Sequence, residues 1–246
     1  MIDIHTHILP GIDDGSRDFD QSLIMAGEAY NAGFTEIITT SHYMTNVYEA
    51  DKSTREKLII KYQRLLEKND IEIQLHNGAE IYFSEDFPEL VKSGLIPTLA
   101  NSQYVLFELP LRSKVIYIDS CIFKLKRMGY IPIIAHPERY SVVQDDIHLA
   151  EEWVECGALL QSNFGSTIGF YGRSAKNTLF KLLKKDMISF LGSDNHRADQ
   201  IYASMPTIIK KLKRKIGEEK LNELTEENPK KIIEHKSLIW YNQKPK

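Results

Sequence analysis

Residues able to hold a metal ion recur along this sequence at short spacings, beginning with His5 and His7 in Ile2-Asp3-Ile4-His5-Thr6-His7. The stretch alternates apolar and polar residues, as a strand does, so two side chains two apart share a face. Two neutral imidazoles side by side can grip one divalent cation. Alone, such a pair is equally two solvated residues beside a turn. More candidates follow: Asp14, next to Asp13 in a loop rich in Gly and Asp, then His42, Glu80, Glu108, His136, and a second pair spaced by two, Asp194 and His196. Each has an ordinary reading of its own, Asp before Gly being a common turn pair.

The elements that must position these residues alternate along the chain. Strand character is expected at residues 1–7, 35–41, 72–80, 104–108, 131–136, 158–163 and 188–194. Helices are expected near 20–32 (ending at Gly33), 51–68, 86–93, 115–128, 147–156 and 174–185, with two or three closing helices and a frayed basic tail from about Ser204. Seven strands alternating with helices predict parallel βα units. In barrels of such units, function collects at the carboxyl ends of the strands. Six of the seven expected strand ends carry His, Glu or Asp. The run Tyr104-Val105-Leu106-Phe107-Glu108 is apolar until its last residue, and a buried carboxylate there needs a partner such as a metal. Jointly the strand ends predict a metal site. His76, four residues before Glu80, is expected to be scaffold or to face solvent.

Composition narrows the classes. The chain has 246 residues, 42% hydrophobic and 26% charged, with net charge −3. That fits a single domain spanning 1–246 and gives no sign of a nucleic-acid binder. No basic-then-apolar leader and no bilayer-length apolar run is present, so the expectation is a cytoplasmic protein without stable membrane insertion. Cys121 and Cys156 fall in expected helices with no metal-binding spacing, and are read as free thiols. The run Lys210-Lys211-Leu212-Lys213-Arg214-Lys215 reads as a solvated helix face, with a docking patch for an acidic partner or membrane surface as the functional alternative.

The donor set is nitrogen and carboxylate oxygen without thiolate, which suits Mn²⁺, Fe²⁺, Co²⁺ or Zn²⁺. Nine candidates exceed the needs of one ion, so two or three ions are expected, with a carboxylate such as Glu80 bridging. Clustered ions activate water and clamp both oxygens of an in-line displacement, which points to phosphate-ester hydrolysis. Arg139, three residues after His136, is placed to form paired hydrogen bonds with phosphate.

The segments His5-Thr6-His7, Gly11-Ile12-Asp13-Asp14-Gly15, Thr40-Ser41-His42, Gly78-Ala79-Glu80, Phe107-Glu108, Ala135-His136-Pro137-Glu138-Arg139-Tyr140 and Gly192-Ser193-Asp194-Asn195-His196 resemble the polymerase-and-histidinol-phosphatase (PHP) superfamily. More narrowly, they resemble its manganese-dependent protein-tyrosine phosphatases from capsule and exopolysaccharide operons of Gram-positive bacteria. The likeness runs from residue 1 to about 200. It implies a distorted seven-stranded (β/α) barrel of PHP type with three metals, Mn²⁺ first. By motif position, His5, His7, Glu80 and Asp194 would surround one ion. Glu80, Glu108 and His136 would hold a second, and Asp14, His42 and His196 a third. Arg139 would bind phosphate. Similar proteins carry a second phosphate-binding arginine a few residues after the final histidine; here Ile201 stands near that place, and Arg197, directly after His196, is the candidate substitute.

The resemblance further implies a substrate: phosphotyrosine on the tyrosine-rich tail of an autophosphorylating bacterial kinase governing polysaccharide export. The expected mechanism is in-line attack by a metal-bound hydroxide, without a cysteinyl-phosphate intermediate. Tyr43, Tyr140, Phe164 and Tyr171 lie in strand-end loops and are candidates to flank the aryl ring. Alternatives are a phosphatase for a small metabolite such as histidinol phosphate, an amidohydrolase, a DNA exonuclease, and a metal-bound regulatory module without chemistry.

Overall fold

A computed structural model describes residues 1–238. Its strands are β1 (Ile2–Asp3), β2 (Glu36–Thr39), β3 (His42–Tyr43), β4 (Gln74–Asn77), β5 (Glu80–Tyr82), β6 (Tyr104–Glu108), β7 (Ile131–Ala135), β8 (Leu159–Asn163) and β9 (Phe190–Gly192). Every pairing between them is parallel. The helices are α1 (Phe19–Asn31), α2 (Lys52–Lys68), α3 (Phe87–Lys92), α4 (Ile118–Arg127), α5 (Ser141–Asp145), α6 (His148–Glu155), α7 (Arg173–Lys184), α8 (Ile201–Ile216), α9 (Glu218–Asn222) and α10 (Asn228–Ile233). Among the described residues no helix is long and apolar enough to cross a membrane.

The strands form two ladders, β1-β2-β4 and β3-β5-β6-β7-β8-β9, which make one curled parallel sheet in an α/β fold. The expected second and third strands are each interrupted by two residues, between β2 and β3 and between β4 and β5. Side-chain hydrogen bonds explain the interruption. The Thr40 hydroxyl accepts from the Thr6 amide at 2.8 Å, where a neighbouring carbonyl would otherwise serve. Arg55 of α2 is fully buried at the seam. Its fork donates to the carbonyls of Ala50 (2.8 Å), Ser41 (2.8 Å), Gly78 (3.2 Å) and His42 (2.7 Å).

The two outer ends of the sheet meet through residues beyond β1 and β9. The Asp194 amide donates to the His5 carbonyl at 2.7 Å, and the His7 amide to the Asn195 carbonyl at 3.0 Å. Further down, the buried Asp3 carboxylate stands in for a missing backbone acceptor, taking the Ser193 amide at 3.0 Å and the Tyr202 hydroxyl at 2.8 Å. Gly192 lies in this closure because a Cβ there would come within 2.7 Å of His5 Cβ.

Period-2 alternation divides the core in two. One apolar cluster lies inside the curl: Ile38, Tyr104, Leu106, Ile133, Leu159 and Phe190, closed at the amino end by Ile232 of α10. Their neighbours Ile37, Phe107, Ile134, Leu160 and Leu191 face outward into a larger cluster beneath the helices. The inward stripe therefore runs from apolar to polar along each strand, as in Tyr104, Leu106, Glu108 and in Leu159, Gln161, Asn163. This is how Glu108 reaches the carboxyl-end face.

Boundaries depart from the sequence reading in a few places. Helix α4 starts at Ile118 rather than 115, α8 starts at Ile201 rather than near 204, and α5 was not anticipated. The expected first strand keeps its ladder only at Ile2–Asp3, since Thr6 then bridges to Asn195. Cys121 lies in α4, Cys156 caps the end of α6, and both are free. His76 pairs with Glu36 at 2.8 Å, a scaffold contact. Lys210, Lys213, Arg214 and Lys215 face solvent on α8. The expected frayed tail beyond 238 lies outside the described residues.

Candidate metal centre

All nine metal-ligand candidates lie at the carboxyl end of the sheet, gathered around Glu80, which is 0% exposed. Glu80 Oε2 lies 3.1 Å from His5 Nε2, 3.2 Å from His7 Nε2 and 3.1 Å from His42 Nδ1. Its Oε1 lies 3.0 Å from His136 Nε2. Asp194 Oδ1 faces His5 Nε2 at 3.5 Å and His7 Nε2 at 3.3 Å. Three groups have donor atoms close enough to share an ion: His5, His7, Glu80 and Asp194; His42, Glu80 and Glu108; and His7, Asp14, His42 and His196. The first is the expected set unchanged, and the third gains His7. In the second, His42 stands with the two glutamates, while His136 flanks them at 3.0 Å from Glu80 and 3.6 Å from Glu108 Oε2.

Two of the ligand candidates are aimed by unusual backbone. His136 and Asp194 adopt positive φ, 34° and 50°, a left-handed conformation that costs energy for residues other than glycine. The kink at His136 ends β7 and starts the short helical turn carrying Arg139. The opening loop is equally tight: a Cβ at Gly15 would sit 2.2 Å from the His7 carbonyl oxygen, so only glycine lets the loop fold over His7.

A ring of hydrogen bonds sets which nitrogen each histidine presents. His5 Nδ1 donates to Gln161 Oε1 at 2.7 Å, His7 Nδ1 to Asp13 Oδ2 at 2.8 Å, and His196 Nδ1 to the Asp194 carbonyl at 3.0 Å. Each then turns an Nε2 lone pair inward. The Nε2 atoms of His5 and His7 lie only 3.4 Å apart. Lone pairs facing one another and facing carboxylates repel unless a proton or a cation lies between them. Glu80 Oε2 and His42 Nδ1 are, moreover, buried without a hydrogen-bond partner among the described residues. A divalent cation satisfies both facts, so the residues fit a metal.

Electrostatics follow the same crowding. Burial pushes the Glu108 carboxyl up to about 9, helped by the charges of Glu80 and Asp194. Burial, then Arg139, lowers His136 to about 4. Glu80 is held well below the usual carboxylate range: burial opposes this, and His5 and His42 outweigh it. Asp13 is lowered to about 2, burial again being outweighed by His7.

Arg139 lies at the rim, 22% exposed. Its Nη1 is 2.6 Å from Asp194 Oδ2 and its guanidinium is stacked 4.4 Å from the Tyr171 ring. Arg197 instead spends Nη1 on the opening loop, donating to the carbonyls of Asp14 (2.6 Å), Gly15 and His196 (2.9 Å). Of the aromatic candidates, Tyr43, Tyr140 and Phe164 are buried, Tyr140 meeting the His136 ring edge-on with centroids 5.6 Å apart, while Tyr171 stands at the rim and bonds Asp194. Gln161 and Asn163, which donates to Asp194 at 2.6 Å, were not singled out from the sequence. Their signal was present: a polar pair spaced by two ends the one strand that lacks His, Glu or Asp there. Asp13 was noticed only as a turn carboxylate.

The family profile for capsular polysaccharide synthesis, CpsB/CapC, matches residues 1–234. The chain belongs to that family. Within the CpsB/CapC family it is 32% identical over 246 residues to the tyrosine-protein phosphatase YwqE of Bacillus subtilis, covering 100% of this chain and 96% of that one. It is 28% identical over 242 residues to the tyrosine-protein phosphatase CpsB of Streptococcus pneumoniae, covering 95% and 98%. Among solved structures, one from a study of YwqE and CpsB as metal-dependent tyrosine phosphatases superposes with a TM-score of 0.92 at 30% identity, covering 97% of this chain and 96% of that one. A histidinol phosphate phosphatase from Lactococcus lactis shares the fold alone, with a TM-score of 0.56 at 13% identity, covering 87% and 94%.

Proposed function

We propose that this CpsB/CapC-family chain is a metal-dependent protein-tyrosine phosphatase. The observation carrying this reading is the convergence of two ligand groups on the partnerless Glu80 oxygen, a third joined to them through His7 and His42, with Arg139 at their rim. The whole-length similarity to YwqE and CpsB supports it. His5, His7, Glu80 and Asp194 would hold one ion, Glu80, Glu108 and His136 a second, with His42 alongside, and Asp14, His42 and His196 a third, with His7 alongside. Manganese is the proposed metal. When bound, such ions activate water for in-line attack and offset phosphate charge.

The chain's own residues do the rest. Gln161 and Asp13 fix His5 and His7 in the orientation that turns Nε2 inward. Arg139 binds phosphate oxygens: among the described residues only its Nη1 is engaged, leaving the remainder of a planar fork suited to them. Tyr171 stacks beneath that guanidinium and keeps it over the site. Arg197 holds the Asp14 loop and is proposed to assist phosphate binding from there. The phenol leaves with a pKa near about 10 and needs little protonation. Neither thiol supplies a nucleophile, since burial pushes Cys121 up to about 12 and Cys156 lies beyond α6.

The finer proposals accompany this reading. β2 with β3, and β4 with β5, count as single interrupted strands, giving a distorted seven-stranded barrel of PHP type in one domain over 1–246. The substrate is the phosphotyrosine tail of an autophosphorylating kinase governing capsule or exopolysaccharide synthesis, met in the cytoplasm.

The test is phosphate release from a phosphotyrosyl peptide by metal-stripped protein, with and without Mn²⁺, beside Arg139→Ala. Metal should restore release, and the variant should lose about 100-fold or more. Silence of the restored wild type, with turnover of histidinol phosphate or single-stranded DNA, would overturn the reading.

A further inference from the structure

The ligand groups differ in their access to solvent, and that gradient locates the mouth of the site. The innermost group is wholly buried, whereas Asp14 of the outer group is 52% exposed at its side chain. Beside this outer group stands Tyr48, a residue with no role so far. Its loop is closed by reciprocal backbone bonds at 2.8 Å, from the Met44 amide to the Tyr48 carbonyl and from the Tyr48 amide to the Met44 carbonyl. A further bond, from the Asn46 amide to Glu49 Oε1 at 2.9 Å, pins the turn. The Tyr48 ring lies nearly parallel to the His42 imidazole, with centroids 6.1 Å apart and planes 13° apart. It is within electrostatic reach of Asp14, Asp13 and His7, and it remains half-exposed.

Two other tyrosines reach this rim, and neither presents a comparable face. Tyr171 already carries the Arg139 guanidinium on its ring and donates its hydroxyl to Asp194 at 3.2 Å. Tyr82 ends β5, paired in register with Glu108, and among the described residues its ring lies against none of the ligand histidines. Among the described tyrosines at this rim, Tyr48 combines a pinned backbone, a half-exposed ring and a place beside the most accessible ligands.

We infer that Tyr48 is a specificity-determining residue: its ring packs against the aryl ring of the substrate and favours aryl over alkyl phosphate esters. The inference rests on the phosphatase reading. Phosphate anchored by Arg139 and the ligand groups leaves the ester's organic part projecting through the mouth. A flat ring bridges from there to the Tyr48 face, where offset stacking is available. An alkyl ester reaches the same chemistry without that contact. Specificity then lies in a loop that contributes no metal ligand of its own.

The experiment measures kcat and KM of the metal-loaded full chain on a phosphotyrosyl peptide and on the same peptide bearing phosphoserine. Wild type, Tyr48→Ala, Tyr48→Phe and Tyr82→Ala are compared. Tyr48→Ala should lower the aryl-to-alkyl ratio of kcat/KM by about tenfold, chiefly through KM of the aryl ester. Tyr48→Phe should restore the ratio, because the ring rather than the hydroxyl makes the contact. An equal loss on both peptides would overturn the inference while leaving the phosphatase reading intact, as would a drop confined to Tyr82→Ala. A wild type that turns over neither peptide would remove both.

Discussion

The two ends of the same inward-facing stripe make the instructive contrast in this molecule. At the amino end, Tyr104, Leu106, Ile133, Leu159 and Phe190 pack on one another and on Ile232, all of them apolar or uncharged and buried from solvent. At the carboxyl end, a few residues further along the same strands, His, Asp and Glu side chains are driven together until lone pairs nearly touch. The backbone is continuous between the ends, yet the energetics are opposed. One end stabilises the fold by burial; the other stores repulsion that a cation relieves. Function and stability are thus separated along each strand.

That separation can be broken by three measurements. Glu80→Gln should cut kcat by about 1,000-fold or more, since it removes the shared carboxylate, while the melting temperature of the metal-free chain changes little. A large loss of metal-free stability would mean the polar end also supports the fold. Leu106→Ala, at the dry end, should cost about 3 kcal/mol of stability yet leave kcat of the metal-loaded folded protein within about twofold. A fall in kcat matching Glu80→Gln would join the two ends again.

The third measurement is the smallest and concerns protons. Folding raises the Glu108 carboxyl from its ordinary value to about 9, so the folded chain holds a proton that the unfolded chain has already released. Stability from this group is present below pH 4.5 and is lost as pH climbs toward 9. Metal-free protein should therefore lose up to about 1 kcal/mol per pH unit between 7 and 9. Metal uptake near pH 7 should release a proton, measurable by calorimetry in buffers of different ionisation enthalpy. Uptake without proton release would place Glu108 outside the ligand set.

The sequence carried the polar end more plainly than the means of holding it. Glu108 was legible because an apolar run stops on it, and His5 with His7 because alternation puts both on one face. The seven strand stretches were legible for the same reason, though not the two interruptions. Thr40 and Arg55 create those by long-range hydrogen bonds that leave no local pattern. Asp13 looked like a turn residue since its partner, His7, meets it through the loop's fold over the strand. Gln161 was passed over because a neutral amide is an unremarkable way to end a strand. The positive φ at His136 and Asp194 has no periodic signature either. Donor chemistry was readable locally; the contacts that aim it were set by packing.

Arg55 leaves a consequence for how this seam tolerates change. Its planar fork meets four carbonyls lying around it at 2.7–3.2 Å, and the side chain sees no solvent. A lysine would keep the charge and yet offer three N–H bonds from a single tetrahedral nitrogen. At least one of the four carbonyls would then lack a donor, and three of them, those of Ser41, His42 and Gly78, lie on the segments that carry His42 and Glu80. The exchange ordinarily regarded as the mildest for an arginine is thus a costly one at this position, and it would be felt where the two ladders meet.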